Sequence, residues 1–261
     1  MKIAVCVKEV PGASAPRRHD SETHRLVREG DQVLNAFDSH AIEAALQLKE
    51  SGAVGDASVT VFTMGPEGSA KTVQKALALG ADDAVLITDP ALEGSDILVT
   101  ARVLAAAIKR GGFDLVLTGQ QAGDSDCWVL PSALAEVLEM PVLTQASTMS
   151  IDGTVVNVER QTEQGYEKLA ADLPAVVSVS DAINTPRYPS LKAIMGAKKK
   201  PLEKVGVADL GLDPGAVGQA GSATEVLEFT APPAKEGGLK IEDDGSAADQ
   251  IVDFLAQRSL V

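Results

Sequence analysis

The residues most suited to chemistry in this sequence lie in one polar loop between two apolar runs. Residues 115–138 read LVLTGQQAGDSDCWVLPSALAEVL, with an apolar run ending at Gly119, two acids at Asp124 and Asp126, and then apolar residues at helical spacing. In open parallel sheets, ligands bind beyond the carboxyl ends of strands. Glycine lets the backbone approach a ligand, and the unpaired amides that open a helix bind anions. Asp124 and Asp126 can accept hydrogen bonds from a ribose or from an adenine amino group. The stretch predicts a nucleotide-binding loop; the alternative is an acidic loop that only caps a helix.

Three further segments are expected at the same rim, and none of them carries a known catalytic motif. They are residues 6–8, residues 64–66 and the NAFDSHA segment at 35–41. The chain has no GxGxxG, no GxxxxGK[ST] and no GxSxG. The three histidines, His19, His24 and His40, lack the spacing of metal ligands, and His40 is interpreted as a helix-start residue rather than a base. The sequence therefore predicts nucleotide binding without a hydrolytic or transfer centre and without a metal.

Composition limits the classes of protein to consider. The chain has 261 residues, of which 45% are hydrophobic and only 3% aromatic, so its core must be built from Ala, Val, Leu and Ile. The net charge of −14 argues against nucleic acid or an anionic membrane as a general partner. Cys6 and Cys127 form no disulfide pattern, and neither a signal peptide nor a membrane span is predicted. We expect a cytoplasmic or similarly reducing location.

Strand and helix patterns alternate over the first 140 residues. This alternation predicts right-handed βαβ units and an α/β fold, with a doubly wound, mostly parallel sheet and helices on both faces. Asp38 or Ser39 is the predicted N-cap of the first helix, and Ser95 that of the third. Residues 9–34 are polar and irregular, and they predict a long excursion. The predicted strands are 2–8, 58–65, 83–88 and 113–119, and the predicted helices are 38–52, 66–80, 95–112 and 129–139.

The pattern changes after Pro141. Residues 142–180 alternate in polarity and contain Asp152-Gly153, a hairpin signal, so an antiparallel extension of the sheet is expected. Beyond the proline-bounded stretch 186–201, the chain is rich in Gly, Pro, Ala and acids, which predicts an extended arm without its own core. The last segment, AADQIVDFLAQRSLV, predicts an amphipathic helix that docks on an apolar surface.

Several stretches, in the correct order, resemble the beta-subunit family of electron transfer flavoproteins over essentially the whole length. The segment at 158–180 is close to the family signature, although Gln164 departs from the usual glycine or acid. The matching stretches are AVCVKEV, NAFDSHAIEAALQLKE, KALALGADDAV, LVLTGQQAGDSDC, VERQTEQGYEKLAADLPAVVSVS and NTPRYPSLKAIMGAKKKP.

The resemblance implies a non-catalytic partner of a flavin-carrying alpha subunit, with AMP bound in the beta chain and FAD held mainly by the alpha chain. Electrons would pass from dehydrogenases to an acceptor oxidoreductase or the respiratory chain. Phe37 would also approach the flavin ring from below. Carried over by position, the nucleotide site would comprise Cys6, Asn35, Ala36, Phe37, Asp38, Met64, Gly119, Gln120, Gln121, Ala122, Gly123, Asp124, Ser125, Asp126, Cys127, Trp128, Val129 and Leu130.

The sequence departs from many relatives at Trp128, Val129 and Leu130, where amide-bearing residues are common. Phosphate contacts would then come from backbone amides. Some relatives hold a second, electron-bifurcating FAD in the same pocket and carry a longer Asp-Thr-Ala-Gln-Val-Gly-Pro run. Because the DSDCWVLP stretch does not match that run, AMP is favoured, and a second FAD stays the alternative.

Two positions are implied to contact partner proteins. Leu191, in residues 186–201, matches the leucine by which the family's recognition loop anchors acyl-CoA-type and other flavin dehydrogenases. The alternative is a surface loop that lysines merely solubilise. Glu167 matches a glutamate that meets an arginine of the alpha subunit. The expected organisation is a nucleotide-binding core at 1–185, a partner-recognition loop at 186–201, and an arm and helix at 202–261 that dock on the alpha subunit.

Two other classes of function remain open from the residues alone. One is a stand-alone adenine-nucleotide-binding protein of the universal-stress or nucleotide-hydrolase type, which shares this kind of sheet. Such proteins carry a glycine-rich phosphate loop after a late strand and lack a long C-terminal arm. The other is a structural scaffold with an empty pocket. The arm and the Leu191 loop favour a chain that needs a partner.

Overall fold

A seven-stranded parallel sheet forms the centre of the protein. A computed structural model describes residues 1–15, 17–230, 232–234 and 237–261. The strand order is β12-β5-β4-β1-β6-β11-β7, and the paired strands run parallel. The strands are β1 Lys2–Cys6, β2 Glu9–Pro11, β3 Gln32–Leu34, β4 Ser58–Met64, β5 Asp83–Ile87, β6 Leu115–Gly119, β7 Val142–Ala146, β8 Thr148–Asp152, β9 Val155–Thr162, β10 Gly165–Asp172, β11 Ala175–Val179 and β12 Leu202–Val205.

Helices cover both faces of the sheet, as the alternating pattern predicted. Leu46 of α1 and Leu77 of α2 lie in the hydrophobic cluster on one face, together with Ala197 of α5. Leu104 of α3 and Leu134 of α4 lie in the cluster on the other face. Small Ala and Val side chains fill much of both clusters, so the helices lie close to the sheet. The helices are α1 Ala36–Ser51, α2 Ala70–Leu79, α3 Ile97–Lys109, α4 Leu130–Leu138, α5 Leu191–Ala197, α6 Gly218–Gly221 and α7 Ala247–Gln257.

The predicted α/β class is confirmed, and the antiparallel strands form a small sheet of their own. β8, β9 and β10 make a three-stranded antiparallel sheet. The predicted turn joins β8 to β9, with Gly153 at a φ of 60°. β7 and β11 instead enter the central sheet in parallel: β11 pairs with β6, and β7 pairs with β11 at the edge. The excursion at 9–34 begins and ends in a two-stranded ribbon of β2 and β3.

Two predicted helix caps were wrong. α1 begins at Ala36, with Asn35 rather than Asp38 or Ser39 as its N-cap, because the Asp38 carboxylate accepts a hydrogen bond from the Lys8 amide. α3 is capped by Asp96, whose Oδ1 accepts hydrogen bonds from the Leu98 and Val99 amides. The hydroxyl of Ser95 donates to Leu92 O instead. The predicted helix at 66–80 starts as a short 3-10 turn, and its α-helical part begins at Ala70.

The chain divides into two compact units, Met1–Val226 and Leu227–Val261. β12 pairs with β5, and Val205, Val207 and Val217 are buried in the second cluster, so the first part of the expected arm belongs to the first unit. The second unit contains α7, in which the guanidinium of Arg258 lies 3.9 Å from the centre of the Phe254 ring.

Candidate functional site

The candidate site lies where the strand order reverses, between β1 and β6. The chain leaves β1 through α1 toward β4 on one side, and leaves β6 through α4 toward β7 on the other. α1 and α4 pack on opposite faces of the sheet. Both helices therefore begin beside the carboxyl ends of the two central strands, which is where open α/β sheets bind ligands. We call this place the crevice.

Gly119 ends β6 in contact with the start of α1. A β-carbon added there would lie 2.6 Å from Asp38 Oδ1 and 2.7 and 2.8 Å from the carbonyl carbon and β-carbon of Phe37. From the sequence, Gly119 was predicted to let a ligand approach the backbone closely. The structure shows that the close approach is to α1, and glycine is required because two backbones meet there.

Asn35 joins the start of α1 to the polar loop that follows β6. Its Nδ2 donates to Gln121 O at 2.8 Å, and its Oδ1 accepts a hydrogen bond from the Gly123 amide at 3.1 Å. Its own amide donates to Lys8 O at 2.9 Å. This one buried residue thus fixes the loop to the start of α1 and to Lys8, which follows β1, and such hydrogen-bonded polar groups hold one conformation.

Asp124 is held between two cations. Its Oδ1 lies 2.8 Å from Lys8 Nζ and its Oδ2 lies 2.6 Å from Arg28 Nη2, while its side chain is only 1% exposed. Burial alone would raise the pKa of Asp124, but the hydrogen bonds and charges of Lys8 and Arg28 outweigh it and lower the pKa. The three groups together carry one net positive charge at the mouth of the crevice, which favours an anionic ligand.

Asp38 is a second buried acid at the base of the crevice. Its Oδ2 accepts a hydrogen bond from the Lys8 amide at 2.7 Å, and its residue is 6% exposed. Burial raises the pKa of Asp38 to about 7, although hydrogen bonds from Asn35 and Lys8 and the charge of Lys8 oppose the rise. Asp38 therefore ties the chain that leaves β1 to α1.

The amino end of α4 lies at the crevice, and no side chain caps it. Val129 is its N-cap residue and has no side-chain hydrogen bond, the first turn carries no acid, and Pro131 lacks an amide hydrogen. The free amides of such a helix end attract phosphate. Trp128, just before the helix, is 45% exposed, so an aromatic face lies next to those amides.

One buried oxygen of the loop has no partner within the described ranges. Gln121 Nε2 donates to Asp126 Oδ1 at 2.9 Å, but Gln121 Oε1 is buried and accepts no hydrogen bond. A buried acceptor without a donor is costly and points to a missing ligand or water.

A separate cavity of about 380 Å³ lies at the amino ends of the strands, around Phe62 and Phe113. The crevice lies at the other end of the strands, so this cavity is not part of it.

Comparison with known proteins gives the family. Residues 23–210 match the family described as "Electron transfer flavoprotein domain". The chain is 40% identical to "Electron transfer flavoprotein subunit beta" of Mycobacterium leprae, over 99% of each chain. It is 35% identical to the protein of that name from Megasphaera elsdenii, over 100% of both chains. It is also 37% identical to "Caffeyl-CoA reductase-Etf complex subunit CarD" of Acetobacterium woodii, over 99% of this chain and 97% of the other.

The chain belongs to the electron transfer flavoprotein family. Within that family it is of the beta-subunit type, so its role lies in electron transfer, and the names of its relatives fit a carrier rather than an enzyme. Membership implies association with flavin or nucleotide and with an alpha subunit. In the part of the chain that the structure describes, no helix is both long enough and apolar enough to cross a bilayer.

In this member of the electron transfer flavoprotein family, the predicted nucleotide residues differ in what they offer. Cys6 contributes no accessible side chain: its thiol is buried, and burial followed by the charge of Asp38 raises its pKa to about 12. Met64 ends β4 beside β1 and packs on the second cluster. The surfaces left around the crevice are exposed or half-buried, and they belong to Ala36, Phe37, Gln120, Gln121, Ala122, Gly123, Ser125, Asp126, Cys127, Trp128, Val129 and Leu130.

The two acids predicted to bind ribose or adenine already have partners within the chain. Asp124 contacts Lys8 and Arg28, and Asp126 accepts a hydrogen bond from Gln121. These contacts hold the loop in its conformation. No group of three or more His, Cys, Asp and Glu side chains in the described residues is arranged to hold a metal ion.

The two predicted partner contacts lie outside the crevice. Leu191 begins the short helix α5 and is 81% exposed. Glu167 lies on β10 opposite Arg160 of β9, and the Arg160 Nε donates to Glu167 Oε2 at 2.6 Å. Glu167 therefore has a cross-strand partner in its own chain. In its predicted role, the Glu167 carboxylate would have to bind Arg160 and an arginine of the alpha subunit at the same time.

Sequence analysis missed the cations of the excursion. Arg28 contacts Asp124, and Arg17 donates to Gly123 O, so the excursion at 9–34 touches the nucleotide loop in two places. The signal was present, since four arginines fall within residues 17–28 of a chain with net charge −14. Lys8 was placed at the rim, but its contact with Asp124 joins residues 116 positions apart.

Proposed function

We propose that this chain is the nucleotide-binding beta subunit of a heterodimeric electron transfer flavoprotein. It binds AMP in the crevice and supports an FAD carried mainly by an alpha subunit. The observation that carries the proposal is the convergence at one switch point of the uncapped amino end of α4, the unpartnered Gln121 Oε1 and the net positive charge around Asp124.

Each part of an adenylate has a matching group. The amides at the start of α4 and the cations Lys8 and Arg28 suit its phosphate. The orphaned Gln121 Oε1 suits an amino donor such as that of adenine. The exposed ring of Trp128 offers a stacking surface. These residues bind and orient a ligand, and the redox chemistry belongs to the flavin.

Nucleotide counting tests this proposal. The chain is co-expressed with its alpha subunit, the complex is denatured, and the released nucleotides are quantified. We expect about one AMP and one FAD per heterodimer. Two FAD and no AMP would assign the bifurcating type of subunit instead. Failure to pair with any flavoprotein, or a single FAD without a second nucleotide, would contradict the proposal.

Residues 186–201, the docking segment, are proposed to bind the partner dehydrogenase. Tyr188, Leu191 and Met195 are 96%, 81% and 73% exposed, an unusual cluster of large apolar groups. Exposed lysines at Lys192 and Lys198 flank them in a chain of net charge −14. A flavin dehydrogenase with an apolar pocket and an acidic rim complements this surface.

Shortening Leu191 tests the docking surface. Leu191→Ala is expected to raise the KM for reduction by an acyl-CoA dehydrogenase about fivefold or more, with kcat and the AMP and FAD contents unchanged, because an anchor side chain contributes at least about 1 kcal/mol. Leu98→Ala, at an exposed leucine of α3, is the control. The docking role is wrong if both variants give the same kinetics as the unaltered complex.

The C-terminal unit, Leu227–Val261, is proposed to dock on the alpha subunit. Ile251 and Val252 of α7 are about half exposed. An amphipathic helix of this kind gains stability by covering its apolar face. Truncation after Val226 would then weaken heterodimer assembly, measured by sedimentation, while leaving the first unit folded.

A further inference from the structure

We propose that Arg187 and Lys200 are positioning residues that fix the docking segment at its two ends, on α1 and α2. The inference rests on the proposed docking function of that segment. It gives a role to two cations that lie outside the crevice.

The first clamp ties the beginning of the segment to α1. Arg187 Nε donates to Glu43 Oε2 at 2.7 Å and its Nη2 to Glu43 Oε1 at 3.1 Å, a fork-to-fork pair. Arg187 Nη1 donates to Glu50 Oε1 at 2.6 Å, two helical turns further along α1. Just before, Asn184 Nδ2 donates to His40 O at 3.0 Å, while His40 Nδ1 lies 3.0 Å from Asn184 O. Asn184 and Arg187 are thus both fixed to the same helix.

Burial makes this clamp more than a surface ion pair. The Glu43 side chain is 7% exposed, whereas the Arg187 and Glu50 side chains are 34% and 56% exposed. The hydrogen bond from Arg187 holds the pKa of Glu50 below its usual range. Without Arg187, the buried Glu43 carboxylate would lose its cation, which is destabilising in a way that loss of an exposed pair is not.

The second clamp ties the end of the segment to α2. Lys200 Nζ donates to Leu77 O at 2.9 Å and also to Ala81 O, at the carbonyl end of α2. A cation is favourable at that end of a helix. Ala197, three residues earlier, is 2% exposed and packs in the cluster that contains α2. The end of the segment is therefore held by charge and by packing.

The residues between Arg187 and Lys200 carry the exposed apolar side chains. Tyr188, Leu191 and Met195 are the exposed apolar side chains, and the Ser190 hydroxyl caps α5 by accepting from the Ala193 amide at 3.2 Å. A surface that is fixed before binding loses less conformational entropy when it binds. The clamps therefore act on partner affinity, through Leu191 and its neighbours, and not on the electron-transfer step.

The experiment uses the heterodimer with Arg187→Met, which keeps side-chain length and removes the fork. Arg110→Met is the matched control, because Arg110 is similarly exposed and pairs at 2.9 Å with Glu203 of β12 rather than with α1 or α2. Two quantities are measured: amide hydrogen exchange of residues 188–196 in the free heterodimer, and KM and kcat with a purified acyl-CoA dehydrogenase. Glu50→Gln, which removes only the exposed half of the clamp, serves if Arg187→Met does not fold.

We expect Arg187→Met to speed exchange in residues 188–196 about tenfold or more and to raise KM about fivefold, with kcat and nucleotide content unchanged. Arg187→Lys, which keeps the charge without the fork, should lie between. The inference is overturned if Leu191→Ala raises KM while Arg187→Met behaves like Arg110→Met. If Leu191→Ala leaves KM unchanged, it is the docking function that fails, and with it the inference.

Discussion

Replacing Gly119 by alanine is expected to lower the free energy of unfolding by about 3 kcal/mol and to abolish nucleotide binding. The new methyl group would lie 2.6 Å from Asp38 Oδ1 and 2.7 Å from the carbonyl carbon of Phe37. These backbone atoms cannot move independently of their helix, so α1 or β6 must shift as a whole. Overpacking of this kind lowers the free energy of unfolding by about 1–3 kcal/mol or more. The shift would separate the two walls of the crevice.

The same loop contains the control for this substitution. At Gly123 the nearest atom to an added β-carbon is Asn35 Oδ1, at 3.8 Å, an ordinary contact. Gly123→Ala is therefore expected to change stability by less than about 1 kcal/mol. Urea unfolding of both variants and AMP retention after gel filtration provide the comparison. Similar stabilities for the two variants would show that β6 and α1 are not in contact as described.

Replacing Asp38 by asparagine is expected to stabilise the chain strongly at pH 8 and much less at pH 5. Burial raises the pKa of Asp38 to about 7 in the folded state. In the unfolded chain the pKa is about 3.9. Between these values the folded state binds more protons than the unfolded state, so the free energy of unfolding falls as pH rises through this window and stays low above pH 7.

Asparagine removes that dependence, because it carries no charge and its oxygen still accepts a hydrogen bond from the Lys8 amide. A three-unit shift sets an upper limit of about 4 kcal/mol, and we expect a gain of about 2–4 kcal/mol at pH 8. Urea unfolding of the wild type and of Asp38→Asn at pH 5 and pH 8 measures it. Asp126→Asn, at an exposed acid of the loop that follows β6, is the control. An equal effect of Asp38→Asn at both pH values would rule out this titration.

Much of the fold followed from local patterns. The apolar runs that end at Gly119 and the helical spacing after Leu130 predicted β6 and α4 to within about two residues. Caps were less predictable, since Ser95 and Asp96 are equally good N-cap residues and only tertiary contacts decide between them. The antiparallel strands were predicted, but not that they form a sheet of their own, because strand polarity does not say which neighbour a strand will pair with.

The candidate site was predictable in place but not in its inner contacts. The rule that ligands bind beyond the carboxyl ends of parallel strands places it at the loops that follow the predicted strands. The Asp124 carboxylate pairs with Lys8 and Arg28, which lie 116 and 96 residues away in the sequence, so these contacts form only in the folded chain. The roles assigned to Cys6 and Asp38 likewise depended on burial, which a strand-end position does not specify.

The exposed ring of Trp128 has a practical consequence. It is the single tryptophan of the 261 residues, and it stands at the start of α4. Indole emission from this chain therefore comes from one point, beside the amides at the start of α4. Excitation at the red edge of the indole band would report arrival of a purine directly, as quenching or a wavelength change, without any dye being attached.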